Sequence, residues 1–350
     1  MRVLLINPPV FRVDEPWYDT PNFVRTGLAY LAGYLRQYPD FDIQIIDSKF
    51  ERIDFETTLQ KVVDFKPDVV GLCAFTNEIK PAAYMSKMIK NILPQSIIVI
   101  GGVHVTALPD KTLEEFPEFD IGVIGEGEIT FHELCDAIKN NKPLENISGL
   151  SFKKNNDIHI TSPRERILDQ NSIPFPAWDL LPAAEMYIVM SQRGCPFNCV
   201  FCMNPNGRVA RKRNIENVIE ELEMIIDDFH PKSVMYGDEL FSVDMDRTRD
   251  LLDAMIATDI PKNIKWWAQT HVRFVDEALF KLMKKANCSI MGLGIETGDE
   301  EKLKTLGKGT NLKMMMEARD AAKKANVAIE TYFILGQPNE TVESMKKTVD

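Results

Sequence analysis

Three cysteines that lie close together in the sequence could hold a metal centre. Cys195, Cys199 and Cys202 stand in a C-x3-C-x2-C spacing, and the Gly, Pro and Asn residues around the first two favour a turn. A zinc site usually has four protein ligands, but the next His after this segment is His230 and the next Cys is Cys288. Three thiolates without a fourth ligand suit an iron–sulfur cluster whose remaining iron is open to an outside ligand. Three buried or zinc-binding thiols are the alternative.

The cysteine spacing resembles the signature of the radical SAM superfamily, in which an aromatic residue precedes the last Cys. Phe201 fills that position. The resemblance implies that the cysteines hold a [4Fe–4S] cluster and that the methionine part of S-adenosylmethionine (SAM) chelates the fourth iron. One electron from the cluster would then cleave the sulfonium to a 5′-deoxyadenosyl radical. A flavodoxin-like or ferredoxin-like electron donor is implied as well.

Length, composition and net charge limit the classes of protein to which the chain can belong. The chain has 350 residues, enough for two domains, with 45% hydrophobic and 27% charged residues, as in a soluble globular protein. We expect no membrane span and no signal peptide, and six Cys without a disulfide pattern indicate the cytoplasm. The net charge of −11 argues against nucleic-acid binding. The basic run at residues 208–213 is interpreted as a solvated loop or, alternatively, as a contact to an anion or substrate.

Elements that alternate between strand and helix organise residues 1–145. Buried Val/Ile strands with helices between them predict an open, doubly wound parallel sheet, an α/β fold that binds ligands beyond the carboxyl ends of its strands. We predict strands at residues 3–6, 42–47, 68–73, 96–100 and 121–124, and helices at residues 24–36, 55–65, 80–93 and 129–139.

The ends of these strands resemble the cobalamin-binding domain that precedes the radical SAM domain in one large subgroup. The shared features are an Asn-Pro-Pro opening, the segment at residues 27–35, a Gly-Gly-x-His-x-Thr motif and a Gly-Glu-Gly-Glu motif. Taken singly, each motif is also compatible with ordinary turn chemistry or with acidic residues at a helix N-terminus. The resemblance implies cobalamin-binding residues, namely Asn7, Pro8, Thr76, Gly101, Gly102, His104, Glu126, Gly127 and Glu128.

The sequence departs from many cobalamin proteins at the motif that supplies the cobalt ligand on the lower face of cobalamin. Many cobalamin proteins carry D-x-H-x-x-G after the first strand, whereas here only residues 157–159 match its start, outside the domain, and Ser162 replaces the Gly. His104 is interpreted as a loop residue near the corrin, so the resemblance implies a lower face without a His ligand. Cys73 and Cys135 are isolated and typical of buried apolar positions, so they cannot supply the extra three-cysteine cluster of the related methylthiotransferases.

Residues 146–186 are predicted to link the domains. They contain a β-hairpin, with strands at residues 147–152 and 158–161, and a non-helical strap that holds four prolines.

Residues 187–350 return to strands alternating with helices. The pattern is that of a partial (β/α) barrel of the TIM type, with its site at the strand carboxyl ends. A radical SAM core normally has six such units, so we expect a truncated barrel that lacks the last strand. Five units are predicted, with strands at residues 187–192, 233–236, 264–270, 289–295 and 328–335, and helices at 215–229, 245–256, 277–285, 312–325 and from 341.

Polar residues at successive ends of these strands resemble the SAM-binding motifs of the superfamily. The triplet from Gly237 to Glu239 matches the Gly-Gly-Glu type that grips the methionyl ammonium, and Glu296 matches a Gly-Ile-Glu motif. Solvated loop residues are the alternative for each. The superfamily often has Thr-Arg at the end of the third strand, whereas this chain has Thr270-His271 with Arg273 two places on, so which of these side chains contacts SAM stays open. The SAM-binding residues implied are Phe201, Gly237, Asp238, Glu239, Gln269, Thr270, Arg273 and Glu296.

The sequence therefore predicts a cobalamin-dependent radical SAM enzyme that methylates an unactivated carbon or phosphorus centre of a small molecule. A ring-forming or oxidative enzyme with the same cofactors is the first alternative. A cobalamin or iron–sulfur sensor without turnover is the second. No motif identifies the substrate.

Overall fold

The computed structural model describes residues 1–11, 21–155 and 157–350. The chain forms two compact units. The first comprises residues 1–167 and 172–184, and the second comprises residues 168–171 and 185–350. No helix within the described ranges is long and apolar enough to cross a membrane.

A seven-stranded sheet forms the centre of the first unit, in the order β2-β1-β3-β4-β5-β6-β7. The first five strands in this order are parallel, and the chain reverses direction across the sheet between β1 and β3. Its strands are β1 (Arg2–Asn7), β2 (Asp42–Asp47), β3 (Val69–Cys73), β4 (Ile97–Gly101), β5 (Ile121–Val123), β6 (Leu150–Lys154) and β7 (Asp157–Ile160). Its helices are α1 (Thr26–Leu35), α2 (Ser48–Glu51), α3 (Phe55–Phe65), α4 (Ile79–Ile92), α5 (Val103–Ala107), α6 (Pro109–Glu115) and α7 (Gly127–Lys139).

Both faces of this sheet are covered, which explains the continuous apolar strands. Leu4 and Ile6 of β1 lie in one buried cluster with residues of α3 and α4, while Val3 and Leu5 lie in the other with residues of α1 and α7. All four side chains are fully buried. The predicted α/β class is confirmed, because a strand covered on both faces has to be apolar at every position.

The hairpin of β6 and β7 extends this sheet. Strand β6 runs antiparallel to β5, with Val123 opposite Leu150. The five strands predicted for residues 1–145 are parallel as expected, and the hairpin makes the whole sheet mixed. Leu150 and Phe152 are buried against the helices of one face, and their burial places the hairpin at the edge of the sheet. The short helices α2, α5 and α6 escaped prediction because four to seven residues cannot show a 3.6-residue period.

A five-stranded parallel sheet forms the second unit, in the order β14-β13-β12-β11-β8, with a separate two-stranded pair, β9 and β10. The strands are β8 (Met186–Val189), β9 (Gln192–Arg193), β10 (Arg211–Lys212), β11 (Ser233–Tyr236), β12 (Lys265–Thr270), β13 (Cys288–Glu296) and β14 (Ala328–Phe333). The helices are α8 (Ile215–Phe229), α9 (Met245–Ala257), α10 (Ile260–Asn263), α11 (Glu277–Lys285), α12 (Glu300–Thr305), α13 (Leu312–Ala325) and α14 (Val342–Val349).

The five predicted strand–helix units of the second unit are present, with two local differences. The strand expected at residues 187–192 ends at Val189, and the chain then pairs as β9 with β10. Strand β13 shifts register against β14 between Gly294 and Glu296, where Glu296 has a φ of 69°. Strands β8 and β14 are outermost in the sheet, and most side chains of β14 are exposed.

Candidate functional site

A cavity of about 280 Å³ lies in the second unit, where the parallel strands β11, β12 and β13 reach their carboxyl ends. All three cysteines of the predicted metal centre line it, together with side chains from the ends of those strands. Its lining residues are Cys195, Phe197, Cys199, Phe201, Cys202, Asn204, Pro205, Glu239, Leu240, Gln269, Thr270, His271, Gly294, Glu296, Lys308 and Tyr332. The strand ends predicted from the sequence therefore do meet at one place.

The cysteines lie on the cysteine loop (residues 194–210), which connects β9 to β10. Gly194 begins it with a φ of 99°, and a Cβ there would lie 2.2 Å from the Val209 oxygen, so only glycine fits. The Cys195 N–H donates to the Gly207 carbonyl at 3.0 Å, and Asn204 Nδ2 donates to the Cys195 carbonyl at 2.7 Å. These bonds fix the backbone at the first cysteine.

The three thiols, as described, do not converge closely enough to hold a lone zinc ion. Thiolates that share one zinc each lie about 2.3 Å from it and must be near-neighbours. Across the described ranges, no three His, Cys, Asp or Glu side chains are grouped closely enough to hold a single ion. Burial raises the pKa of Cys195 and Cys199, so both thiols are neutral until a cation replaces the proton.

The predicted acidic pair at the end of β11 divides between two roles. Glu239 lines the cavity, where its carboxylate accepts hydrogen bonds from the Gly194 N–H at 2.9 Å and from Asn206 Nδ2 at 2.5 Å. Asp238 is fully buried outside the lining, where it accepts from the Ser191 N–H at 2.7 Å. Of the two predicted carboxylates, only Glu239 is part of the cavity lining.

The other predicted SAM residues also separate into two groups. Phe201, Gln269 and Thr270 line the cavity. Gly237 does not, and a Cβ at that position would lie 2.6 Å from a methyl carbon of Ile188, so close packing requires the glycine. Arg273 lies outside the lining too, with Nη2 donating to the Gly309 carbonyl at 2.6 Å. Of His271 and Arg273, between which the sequence left the choice open, His271 lines the cavity.

A buried ion pair lies in the cavity wall. Lys308 Nζ pairs with the Glu296 carboxylate and also donates to the Gly294 carbonyl at 2.7 Å. Both side chains are 9% exposed. Sequence reasoning found Glu296 but missed Lys308, although its flanking glycines, Gly307 and Gly309, both at a φ of 68°, mark a tight loop.

His271 connects the cysteine loop to the Lys308 loop. Its ring stacks on Phe197 with centroids 4.5 Å apart, and Nε2 lies 3.1 Å from the Lys308 carbonyl. Nδ1 accepts from the Arg273 N–H at 3.1 Å, so the proton of the neutral ring belongs on Nε2. Burial lowers the pKa of His271 to about 4.

We expect His271 to make the protein less stable as the pH falls. Its folded-state pKa of about 4 lies below the usual 6.5, so between these values the unfolded chain binds a proton that the folded chain does not. The free energy of unfolding should therefore decrease over that interval. Urea titrations of the wild type and of His271→Gln at several pH values test this. The prediction is wrong if the difference between the two proteins does not change with pH.

The basic run at residues 208–213 is exposed at its start and buried at Arg211 and Arg213. Arg211 and Arg213 are buried, and their guanidinium groups donate to backbone carbonyls of Asn206 and Met190, at 2.8 and 2.9 Å. Arg208 is exposed and donates to the Phe197 carbonyl. The run therefore holds the cysteine loop.

In the first unit, the carboxyl ends of β3 and β4 contact each other. His104 Nδ1 lies 3.2 Å from Thr76 Oγ1, and burial lowers the pKa of His104. Gly102 has a φ of 101°, and a Cβ there would lie 2.8 Å from the Ala74 oxygen. Gly101 is open by comparison, since a Cβ there would have its nearest neighbour, the Leu72 oxygen, at 3.8 Å. Four of the predicted cobalamin residues are thus brought together.

Alanine at Gly102 should destabilise the first unit. The left-handed backbone and the close Ala74 oxygen both oppose a Cβ, so we expect a loss of about 1–3 kcal/mol in the free energy of unfolding. Gly27→Ala is the matched control, because nothing lies within 4 Å of a Cβ there and α1 gains a better helix former. Urea unfolding followed by circular dichroism compares them. Equal midpoints for the two variants would contradict the prediction.

The remaining predicted cobalamin residues are engaged within the first unit. Glu126 accepts from the Ile167 N–H at 3.2 Å, and Glu128 is buried in the first turn of α7. A Cβ at Gly127 would lie 3.0 Å from Leu31. Pro8 is buried beside Asn7 at the end of β1.

Asn7 belongs to a buried charged network between the ends of β1, β2 and β3. Its Nδ2 donates to Asp47 at 2.5 Å, while Arg25 donates to the Asn7 oxygen and to both oxygens of Glu78. The Arg25 guanidinium also lies 4.8 Å from the ring centroid of Phe75, whose side chain is 47% exposed. Arg25 and Phe75 were missed, because an isolated Arg and Phe carry no motif.

Comparison with known proteins adds two family matches. Residues 21–135 match the B12 binding domain, and residues 189–350 match the Radical SAM superfamily. An uncharacterized methyltransferase of Pyrococcus horikoshii is 34% identical over 358 residues, which cover 100% of this chain and 77% of that protein. The anaerobic magnesium-protoporphyrin IX monomethyl ester cyclase of Cereibacter sphaeroides is 29% identical, and the match covers 92% of this chain and 55% of the cyclase.

Among solved structures, the cobalamin-dependent S-adenosylmethionine radical enzyme OxsB has a similar fold. Its TM-score is 0.83 at 20% identity, and the match covers 99% of this chain and 51% of OxsB. The chain thus spans about half the length of OxsB and of the cyclase.

Proposed function

Because the chain belongs to the cobalamin-dependent radical SAM enzymes, we propose that it transfers a methyl group to an unactivated carbon or phosphorus centre of a small molecule. The family matches confirm the cofactors expected from the sequence, namely cobalamin, SAM and a [4Fe–4S] cluster. The methyl transfer is supported by the similarity to the archaeal methyltransferase. The main structural support is the cavity at the strand ends, which combines three thiols, a carboxylate and a buried cation.

The chemistry of this cavity fits the cluster and SAM. Cys195, Cys199 and Cys202 would hold the cluster, which leaves one iron for the amino acid part of SAM. Glu239 offers a carboxylate for the methionyl ammonium, and Lys308 offers a cation for the methionyl carboxylate. When bound, the cluster supplies one electron for cleavage of SAM, and cobalamin supplies a cobalt centre that carries the methyl group.

The strand ends of the first unit fit a flat, bulky ligand. A Cβ at Gly101 would meet no atom closer than 3.8 Å at the end of β4, and the exposed ring of Phe75 lies at the end of β3. These positions lie beside the reversal between β1 and β3, where open α/β sheets bind ligands. We propose that they contact cobalamin, and that Thr76 and His104 hold the two loops together.

The role of the protein in this scheme is to position groups and exclude water, because hydrogen abstraction by a radical needs no general base. Phe197 and His271 form one wall of the cavity and present no ionised group to it. An electron donor of the flavodoxin or ferredoxin type is proposed as partner, since the cluster has to be reduced by one electron per cleavage.

Ring formation is the second candidate, favoured by the similarity to the cyclase. Anaerobic reconstitution with iron, sulfide and hydroxocobalamin, followed by SAM and reductant, separates the possibilities. Mass spectrometry should detect both 5′-deoxyadenosine and S-adenosylhomocysteine, and omission of cobalamin should remove the second product. Deoxyadenosine alone would favour ring formation or oxidation. Neither product from a protein with a full cluster would overturn the proposal and leave the sensor hypothesis.

A further inference from the structure

The segment that leads into the cysteine loop leaves the five-stranded sheet after Val189 and pairs with β10 only at residues 192–193. Strand β8 pairs with β11 through Val189, whose carbonyl still accepts from the Gly237 N–H at 2.9 Å. Beyond this point the chain turns away from the sheet. Ser191 and Gln192 are buried, at 0% and 2% exposure, so the backbone groups that the strand after the loop does not pair need other partners.

Asp238 supplies the acceptors for two of these N–H groups. Its Oδ1 accepts from the Ser191 N–H at 2.7 Å and from the Gln192 N–H at 3.2 Å. Its Oδ2 accepts from Ser191 Oγ at 2.5 Å. Glu239, the next residue, continues the series by accepting from the Gly194 N–H. Two adjacent carboxylates thus bind the chain from Ser191 to the start of the cysteine loop.

Two arginine side chains also donate to the carbonyl groups of the same segment. Arg213 Nη1 donates to the Met190 carbonyl at 2.9 Å, and Arg247 Nη2 donates to the Ser191 carbonyl at 3.2 Å. Arg247 also donates to the Arg213 carbonyl at 2.8 Å, so both ends of the cysteine loop are held together. Asp238 accepts from two successive backbone N–H groups of this segment.

We propose that Asp238 is a positioning residue for the iron–sulfur cluster and that only Glu239 of the acidic pair contacts SAM. The inference rests on the proposed function, because it assigns Asp238 a role through the cysteine loop. Asp238 holds the segment at residues 190–193 in place, and that segment fixes where Cys195 begins the loop. A buried carboxylate with no access to the cavity cannot itself meet the methionyl ammonium.

The test compares Asp238→Ala and Asp238→Asn with Asp276→Ala. Asp276 also accepts a backbone N–H, from Leu279 at 2.6 Å, and pairs with an arginine, Arg249, but it lies outside the cavity lining. After anaerobic reconstitution, iron and sulfide per chain are measured, and electron paramagnetic resonance spectra of the reduced cluster are recorded with and without SAM. Circular dichroism and thermal unfolding monitor the fold.

Asp238→Ala should bind iron about 10-fold more weakly, at the lower limit for residues that orient metal ligands. Asp238→Asn should recover part of this loss, because its amide oxygen still accepts an N–H. Any cluster that forms should still respond to SAM. Asp276→Ala should keep normal iron content although it loses a helix N-cap and with it some thermal stability.

Two results would overturn the inference. One is iron content and a spectrum of Asp238→Ala that equal those of the wild type. The other is a full cluster whose spectrum no longer responds to SAM, which would make Asp238 a SAM ligand. If the wild-type protein itself forms no cluster, the proposed function fails instead, so the two failures are distinguishable.

Discussion

Replacement of Cys195, Cys199 and Cys202 by alanine is expected to abolish the iron–sulfur cluster and with it all cleavage of SAM. The three thiols line one cavity, and no other Cys lines it within the described part of the chain. Without thiolates there is no ligand for iron, and without the cluster there is no electron for the sulfonium. Iron analysis, the visible absorption spectrum and the yield of 5′-deoxyadenosine after anaerobic reconstitution measure the effect.

Cys288→Ala is the control for loss of a thiol. Cys288 begins β13 with 2% exposure and does not line the cavity. This variant should lose some stability because it leaves a small void, but its iron content should equal that of the wild type. Iron bound by the triple variant with a normal cluster spectrum would contradict the assignment of these cysteines.

Lys308→Met should cause the second large effect. It leaves the Glu296 carboxylate buried without its cation, and the loss of one partner of such a pair costs about 3–5 kcal/mol. We therefore expect a large decrease in the free energy of unfolding and, in the reconstituted protein, much weaker binding of SAM. Urea unfolding and equilibrium dialysis with labelled SAM measure the two effects separately.

The double variant Glu296→Gln, Lys308→Met separates charge from packing. It removes both charges, so most of the stability should return, while SAM binding should stay weak because the cation is still missing. Lys308→Arg keeps the charge and serves as the conservative control. If the single variant is as stable as the wild type, the ion pair does not stabilise the second unit, and the account of Lys308 is wrong.

Much of the fold could be predicted because local signals agree with the packing. Helices α3, α11 and α13 begin where expected, since Asp54, Asp276 and Asn311 each accept a hydrogen bond from a backbone N–H in the first turn. The hairpin was placed correctly along the chain, but its attachment to β5 was not predicted. Attachment depends on which edge of the sheet can bury Leu150 and Phe152, and that is a long-range property.

The site was predictable where motifs fix both residue type and position, as for the cysteines, Glu239 and Glu296. The direction in which a side chain points at a strand end could not be predicted, because it depends on where the backbone leaves the sheet. Asp238 binds the segment at residues 190–193 at the point where β8 has stopped pairing with β11. Lys308 reaches Glu296 from a separate loop, which no local pattern connects to β13.

The outer position of β14 has a consequence for handling the protein at high concentration. Its ladder to β13 uses one side of the strand, and within the described ranges no strand pairs with the other side. An exposed edge of this kind can recruit an extended segment of another molecule, and the exposed ring of Phe333 adds an apolar contact. When these 350 residues are purified on their own, self-association through edge-to-edge pairing is therefore the failure to watch for, and a lysine placed at an outward position of β14 would suppress it.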